Sequence, residues 1–79
     1  MSHEVTVYTT PTCSWCQAVK DYLHAREIDF EEIDVSTDQA LAEEMMGKSG
    51  QMGTPVLEID KEIVIGFNRP EIDRLLDLV

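Results

Sequence analysis

The sequence predicts an α/β fold in which a β-α-β-α-β-β-α chain makes a mixed four-stranded sheet with helices on both faces. Three observations predict it. Short β-rich runs alternate with segments of helical apolar spacing through the first half of the chain. Two further β-rich runs stand either side of Asp60-Lys61, a two-residue separation that reads as a hairpin. Finally, 79 residues suffice for one small domain, and a hydrophobic fraction of 43% is ordinary for a packed core rather than a disordered chain.

Glu4 to Thr9 alternates Val5 and Val7 with the β-formers Thr6 and Tyr8 and reads as the first strand, which Pro11 ends. A helix over Ser14 to Arg26 follows, with Cys16, Val19 and Leu23, and also Ala18 and Tyr22, at helical spacing. Asp29 to Val35 places Phe30, Ile33 and Val35 among acidic residues, an imperfect alternation that suits an edge strand. The first β-α-β unit is expected to be a right-handed crossover with parallel strands.

Ser36 can cap a second helix, with Gln39 three residues later completing a capping box, Leu41 and Met45 facing inward, and an end near Gly47. Gly47, Gly50 and Gly53 then predict a loop. Val56 to Ile59 and Glu62 to Ile65 are the hairpin strands. Asn68 fits the N-cap of a last helix, with Pro70 in its first turn and Glu71 at the third position, and Ile72, Leu75, Leu76 and Val79 as its buried stripe.

The formal net charge of −10 argues against nucleic acid and against anionic membrane surfaces as partners. It fits a solvated acidic surface, or steering toward a basic patch on a protein partner. No run is long and apolar enough to span a bilayer, and Met1-Ser2-His3-Glu4 lacks the basic charge that opens a secretory signal. The expected compartment is the cytoplasm, where a structural disulfide is improbable.

The chemistry concentrates at Cys13-Ser14-Trp15-Cys16, which holds both cysteines of the chain where a strand gives way to a helix. A thiol at a helix N-terminus faces unpaired backbone N–H groups and the positive end of the helix dipole, and both favour thiolate. Cys13, at the start, is therefore the expected nucleophile. Cys16, one turn in on the apolar face, is the expected resolving thiol. The alternatives are inert cysteines or half a zinc site. Zinc needs about four ligands, and His24, some two turns along the same helix, cannot close a tetrahedron with the pair, so no metal is expected. Ser14 keeps a backbone N–H that proline would lack. Trp15 can offer substrate a flat exposed surface, or pack partly against the loop.

Tyr8-Thr9-Thr10-Pro11-Thr12-Cys13-Ser14-Trp15-Cys16, Gly53-Thr54-Pro55-Val56 and Gly66-Phe67-Asn68-Arg69-Pro70-Glu71 together resemble the glutaredoxin family. The resemblance covers essentially the whole chain and is nearest to the short glutaredoxin-like, YruB-like group and the related NrdH-type redoxins. It implies a thioredoxin-like fold, a monomer, and a dithiol–disulfide oxidoreductase or electron carrier acting on protein or glutathione mixed disulfides. No permanently bound cofactor is implied, and electrons come from glutathione or an NADPH-linked, thioredoxin-reductase-like flavoprotein. A glutathione-dependent iron–sulfur carrier and a noncatalytic binding module are the alternatives.

The resemblance further implies a cis Thr54-Pro55 bond, with the Thr54 backbone pairing to an extended substrate. It places substrate contacts at Pro11, Thr12, Ser14, Trp15, Met52, Thr54, Pro55, Gly66, Phe67, Asn68 and Arg69. Arg69 can bind a substrate carboxylate or stand solvated beside Glu71 or Asp73. Among the methionines Met45 suits the core and Met52 a substrate contact. The departures concern glutathione: Thr10 replaces a basic residue frequent in the family, and Asn68 stands near a position often acidic. Val7 also occupies the place of the buried acid found in thioredoxins.

Overall fold

The protein is described from a computed structural model covering residues 3–51 and 53–77. Its elements are β1 (Val5–Thr9), α1 (Ser14–Ala25), β2 (Glu31–Asp34), α2 (Gln39–Ser49), β3 (Val56–Ile59), β4 (Glu62–Ile65) and α3 (Arg69–Leu75). The four strands form one sheet in the order β2-β1-β3-β4. β1 runs parallel to β2 and antiparallel to β3, and β3 pairs antiparallel with β4. The predicted thioredoxin-like architecture is therefore present, with β2 at an edge.

Period-2 alternation splits the central strands between two cores. Val5, Val7, Leu57, Ile59 and Val64 pack with Val19, Tyr22 and Leu23 of α1 and with Ile72 and Leu76 at α3. Tyr8, Val35 and Val56 pack on the other face against Met45 of α2. The second core is thin, because Met45 is the buried residue of α2 while Leu41 and Ala42 are half-buried. A polar lock supplements it: Lys48 Nζ donates to the Tyr8 hydroxyl at 3.0 Å and to Glu58 Oε1 at 2.8 Å. Tyr8 is 1% exposed, so its hydroxyl depends on that partner.

Three boundaries differ from the sequence expectation. α2 is capped by Asp38, whose carboxylate accepts the Ala40 N–H at 2.8 Å. Ser36 is instead held by Asp34 Oδ1, which accepts its N–H at 2.8 Å and its hydroxyl at 2.6 Å. An ionised carboxylate two residues closer to the first turn outcompetes the hydroxyl. α2 also runs through Gly47 and ends at Gly50, whose φ of 76° and N–H to the Met46 carbonyl at 2.7 Å make the left-handed stop. β2 is shorter than Asp29 to Val35, since Phe30 packs on the first core and Val35 donates to the Thr9 carbonyl beyond the strand's end. The Asp60-Lys61 turn has φ of 49° and 75°, the two positive values a tight hairpin requires. Among the described residues no helix is long and apolar enough to cross a membrane. The expectations for Met52 and Val79 fall outside the described residues.

Candidate redox site

Strand β1, the axis of the sheet, delivers its C-terminal end to the first turn of α1. Cys13 is the N-cap of that helix, and its sulfur accepts the Cys16 N–H at 3.1 Å, the place a capping oxygen takes elsewhere. Cys13 is partly exposed and Cys16 is 1% exposed, and both are free thiols. The spacing thus puts one sulfur at the surface and the other beneath it.

The two thiols are driven apart in acidity. Partial burial alone would raise the Cys13 pKa. Hydrogen bonds from the Cys16 thiol, the Thr54 hydroxyl and the backbone N–H groups of Cys16 and Trp15 outweigh it, so Cys13 titrates below the ordinary thiol value. Burial raises Cys16, and donating to Cys13 raises it further. The Thr9 hydroxyl, the Thr10 backbone and the Thr54 hydroxyl offset part of that rise.

One expectation about the N–H donors needs correcting. Ser14 was expected to supply a backbone N–H to the sulfur, but the donors are Cys16 and Trp15. A capping side chain reaches the second and third N–H groups of its helix, and Ser14 carries the first.

The Thr54-Pro55 bond is cis, as the resemblance implied. The Pro55 carbonyl accepts the Gly66 N–H at 2.8 Å, which ties the segment after β4 to the Thr54-Pro55 loop. Gly66 sits at φ 76°, a conformation that favours glycine. Trp15, Thr54, Pro55, Gly66 and Phe67 consequently line one cleft of about 270 Å³. Trp15 is 64% exposed, and its ring centroid lies 6.4 Å from that of Phe67.

Pro11, Thr12 and Ser14 lie on the other side of Cys13. With Thr10, Gln17, Lys20, Glu32 and Asp34 they line a larger cleft of about 540 Å³. Lys20 Nζ and Glu32 Oε2 pair across it at 2.6 Å. Eight of the predicted contact residues therefore divide between these two clefts; Cys13 lines the larger, and Asn68 and Arg69 line neither. Asn68 is occupied in capping α3, accepting the Glu71 N–H at 3.5 Å. Arg69 has neither of its expected carboxylate partners: Glu71 pairs with Arg74, Asp73 accepts from the Tyr22 hydroxyl, and the Arg69 guanidinium lies 5.3 Å from the Tyr22 ring centroid.

The sequence reading missed Thr9, Lys20 and Glu32 as neighbours of the site. Thr9 is 2% exposed, and among the described residues it is the buried polar side chain. Its position four residues before Cys13 at the end of a central strand was a usable signal. The approach of Glu32 to Lys20 depends on strand pairing and had none.

A strand-to-helix Cys-x-x-Cys, a cis-proline loop and a β4–α3 segment tied to that loop agree with what comparison with known proteins finds. The glutaredoxin family profile matches residues 5–64. The chain belongs to the glutaredoxin family. Members of this family are thiol–disulfide oxidoreductases. A glutaredoxin-like 8.6 kDa protein from the rubredoxin operon of Clostridium pasteurianum is 45% identical over 92% of this chain and 97% of its own. The solved thioredoxin-like protein BC3987 superposes with a TM-score of 0.85 at 34% identity, covering 92% of this chain and 100% of that one. The NrdH-redoxin of Escherichia coli, a glutaredoxin-like protein described as having a thioredoxin-like activity profile, superposes with a TM-score of 0.82 at 32% identity over 91% of this chain and 93% of that one.

Proposed function

We propose that this chain is a dithiol electron carrier that reduces protein disulfides, with Cys13 as nucleophile and Cys16 as resolving thiol. The observation that carries the reading is the placement of the pair: an accessible Cys13 whose sulfur caps α1 and accepts the Cys16 N–H, above a buried Cys16, an arrangement that lowers the first thiol and raises the second. The Cys13 thiolate attacks one sulfur of the substrate disulfide, forming a mixed disulfide and releasing the other sulfur as a thiolate that takes a proton from water. Cys16 then loses its proton and attacks the Cys13 sulfur. This forms the Cys13–Cys16 disulfide and releases the second substrate thiolate, so that two electrons have passed to the substrate. A high pKa on Cys16 suits this order, because it keeps the inner thiol protonated until the mixed disulfide forms.

Return of the chain to the dithiol requires an external donor, and a thioredoxin-reductase-like flavoprotein fits better than glutathione. Thr10 offers no charge to a glutathione carboxylate. Asn68 offers none to its amino group and already accepts a backbone bond. The E. coli relative's thioredoxin-like activity profile agrees with that preference.

The role assignment is tested by substitution and alkylation. Cys13→Ser abolishes disulfide reduction, and Cys16→Ser accumulates a stable mixed disulfide at Cys13. In the reduced wild type at neutral pH, iodoacetamide modifies Cys13 first. Modification of Cys16 first overturns the assignment. Reduction of the oxidised protein by NADPH with thioredoxin reductase is expected to outpace reduction by glutathione with glutathione reductase.

A further inference from the structure

Three of the six Lys and Arg side chains of this acidic chain are neutralised among the described residues. Lys20 pairs with Glu32, Lys48 with Glu58 and Arg74 with Glu71. Lys61 stands at the β3–β4 turn, at the end of the sheet remote from Cys13. Arg26 and Arg69 have no carboxylate within ion-pair distance among the described residues, and both are exposed. They come from distant parts of the chain, the end of α1 and the start of α3, yet converge on one ring. The Arg26 guanidinium carbon lies 3.8 Å from the Tyr22 centroid and that of Arg69 lies 5.3 Å from it.

This cationic pair is continuous with the redox face. The Tyr22 ring meets Phe67 edge-on at 5.4 Å, and Phe67 meets Trp15, two residues after Cys13, at 6.4 Å. Followed ring to ring, the aromatic track from Trp15 to the guanidinium groups is roughly the reach of five residues of extended chain. Both guanidinium groups lie against Tyr22, Arg69 also within reach of its hydroxyl, and a guanidinium held this way keeps further N–H donors with which to receive a carboxylate. Asp73, the acid nearest the ring, is engaged by the Tyr22 hydroxyl.

We propose that Arg26 and Arg69 form a docking site for the carboxylates of a short acidic segment of the partner protein, a few residues from the cysteine whose disulfide Cys13 attacks. The site rests on the oxidoreductase reading above and gives it a substrate preference. The net charge of −10 sharpens the argument. An acidic partner is repelled by most of this surface and attracted at this corner, so the pair orients the encounter. Two guanidinium groups suit two or three carboxylates rather than a long polyanion, which would run onto the surrounding acids. An ammonium group in the same place is repelled, which disfavours the amino end of glutathione.

The test uses two peptide disulfides that differ only in carrying Asp-Glu or Asn-Gln roughly four or five residues from the cysteine. Reduction rates are measured at low and high salt. Binding of the reduced peptides is followed separately by fluorescence of Trp15, the one tryptophan. The wild type is expected to favour the acidic peptide by about threefold to tenfold in both readouts, the scale of two exposed charge contacts, with the preference lost at high salt. Arg26→Gln and Arg69→Gln each lower the ratio, the double variant brings it to unity, and the double lysine variant retains part of it. A wild type that binds both peptides equally, or a preference that survives in the double glutamine variant, overturns the proposal. Fluorescence preference for the acidic peptide with reduction of neither supports the docking site and overturns the oxidoreductase reading instead.

Discussion

Thr54 faces both sulfurs, so Thr54→Val removes one hydroxyl and leaves the shape of the loop. The hydroxyl lowers Cys13 and Cys16 alike. A hydrogen bond to a charged group contributes about 1.5–3 kcal/mol, and water at the partly exposed Cys13 replaces some of it. A net loss of about 1 kcal/mol corresponds to about 0.7 of a pKa unit at 1.36 kcal/mol per unit. Cys13 should therefore move upward by about 0.5–1 unit, still acidified by the Cys16 and Trp15 N–H groups. Weaker stabilisation of the thiolate makes the reduced form less favourable, so the reduction potential falls by about 15–30 mV. Thiolate absorbance against pH gives the first quantity, and equilibration with a dithiol buffer gives the second. The sign also fixes a stability effect. A depressed thiol pKa stabilises the reduced fold fully above the unfolded thiol value, and that contribution is lost as pH falls through the folded value. Thr54→Val should narrow this pH window. Thr54→Ser should behave as wild type. An unchanged Cys13 pKa in the valine variant refutes the account of how this loop acts on the sulfur.

Three other perturbations separate parts of the structure. Ser14→Pro should leave the Cys13 pKa nearly unchanged, because the sulfur accepts from Cys16 and Trp15; a rise as large as that of Thr54→Val shows that the Ser14 N–H matters after all. Lys48→Met deprives the buried Tyr8 hydroxyl of its donor, at about 1 kcal/mol or more. That lowers Tm by about 4–8 °C for a domain of this size. Adding Tyr8→Phe should recover part of the loss, and an additive decrease in the double variant rules out the lock between α2 and the sheet. Thr10→Lys with Asn68→Asp should raise glutathione-dependent turnover several-fold, less so as salt rises; aspartate still caps α3, so circular dichroism and Tm serve as controls, and no gain refutes the explanation of weak glutathione use.

How far the sequence reveals this molecule depends on the range of the interaction concerned. The strand runs and the hairpin at Asp60-Lys61 are local, and period-2 and helical spacing expose them directly. The cap of α2 is also local, yet the capping-box pattern points to Ser36 where Asp38 caps. The Asp34 carboxylate that claims Ser36 stands at the end of β2. Gly47 looked like a helix end for a related reason. Glycine is permitted in both conformations, and the left-handed residue proved to be Gly50. The redox pair was legible because its chemistry is carried by adjacent residues. Its surroundings were legible only in part: the family resemblance supplied Thr54 and Phe67, whereas Lys20 and Glu32 reach the site through strand register and chain crossovers, which leave no periodic trace.

The split of the site into two unlike clefts has a cause in the same topology. β1 is central, so residues at its C-terminal end have a neighbour on each side: β2 on one, β3 and its preceding loop on the other. The β2 side is acidic and is bridged by Lys20. The β3 side brings the proline loop, and through the Gly66 bond it also brings Phe67 and the start of α3. Apolar contact, the Thr54-Pro55 loop and two guanidinium groups with no ion-pair partner among the described residues therefore accumulate on one flank of Cys13, while charged side chains already in partnership occupy the other. An extended peptide gains more by lying across the first flank, because docking there breaks no ion pair. The larger cleft, bridged by Lys20 and Glu32, is better suited to water, which can carry away the proton that Cys16 must lose. On this geometry substrate selectivity should respond to changes at Trp15, Phe67 and Arg69, and the pH dependence of resolution to changes at Lys20 and Glu32.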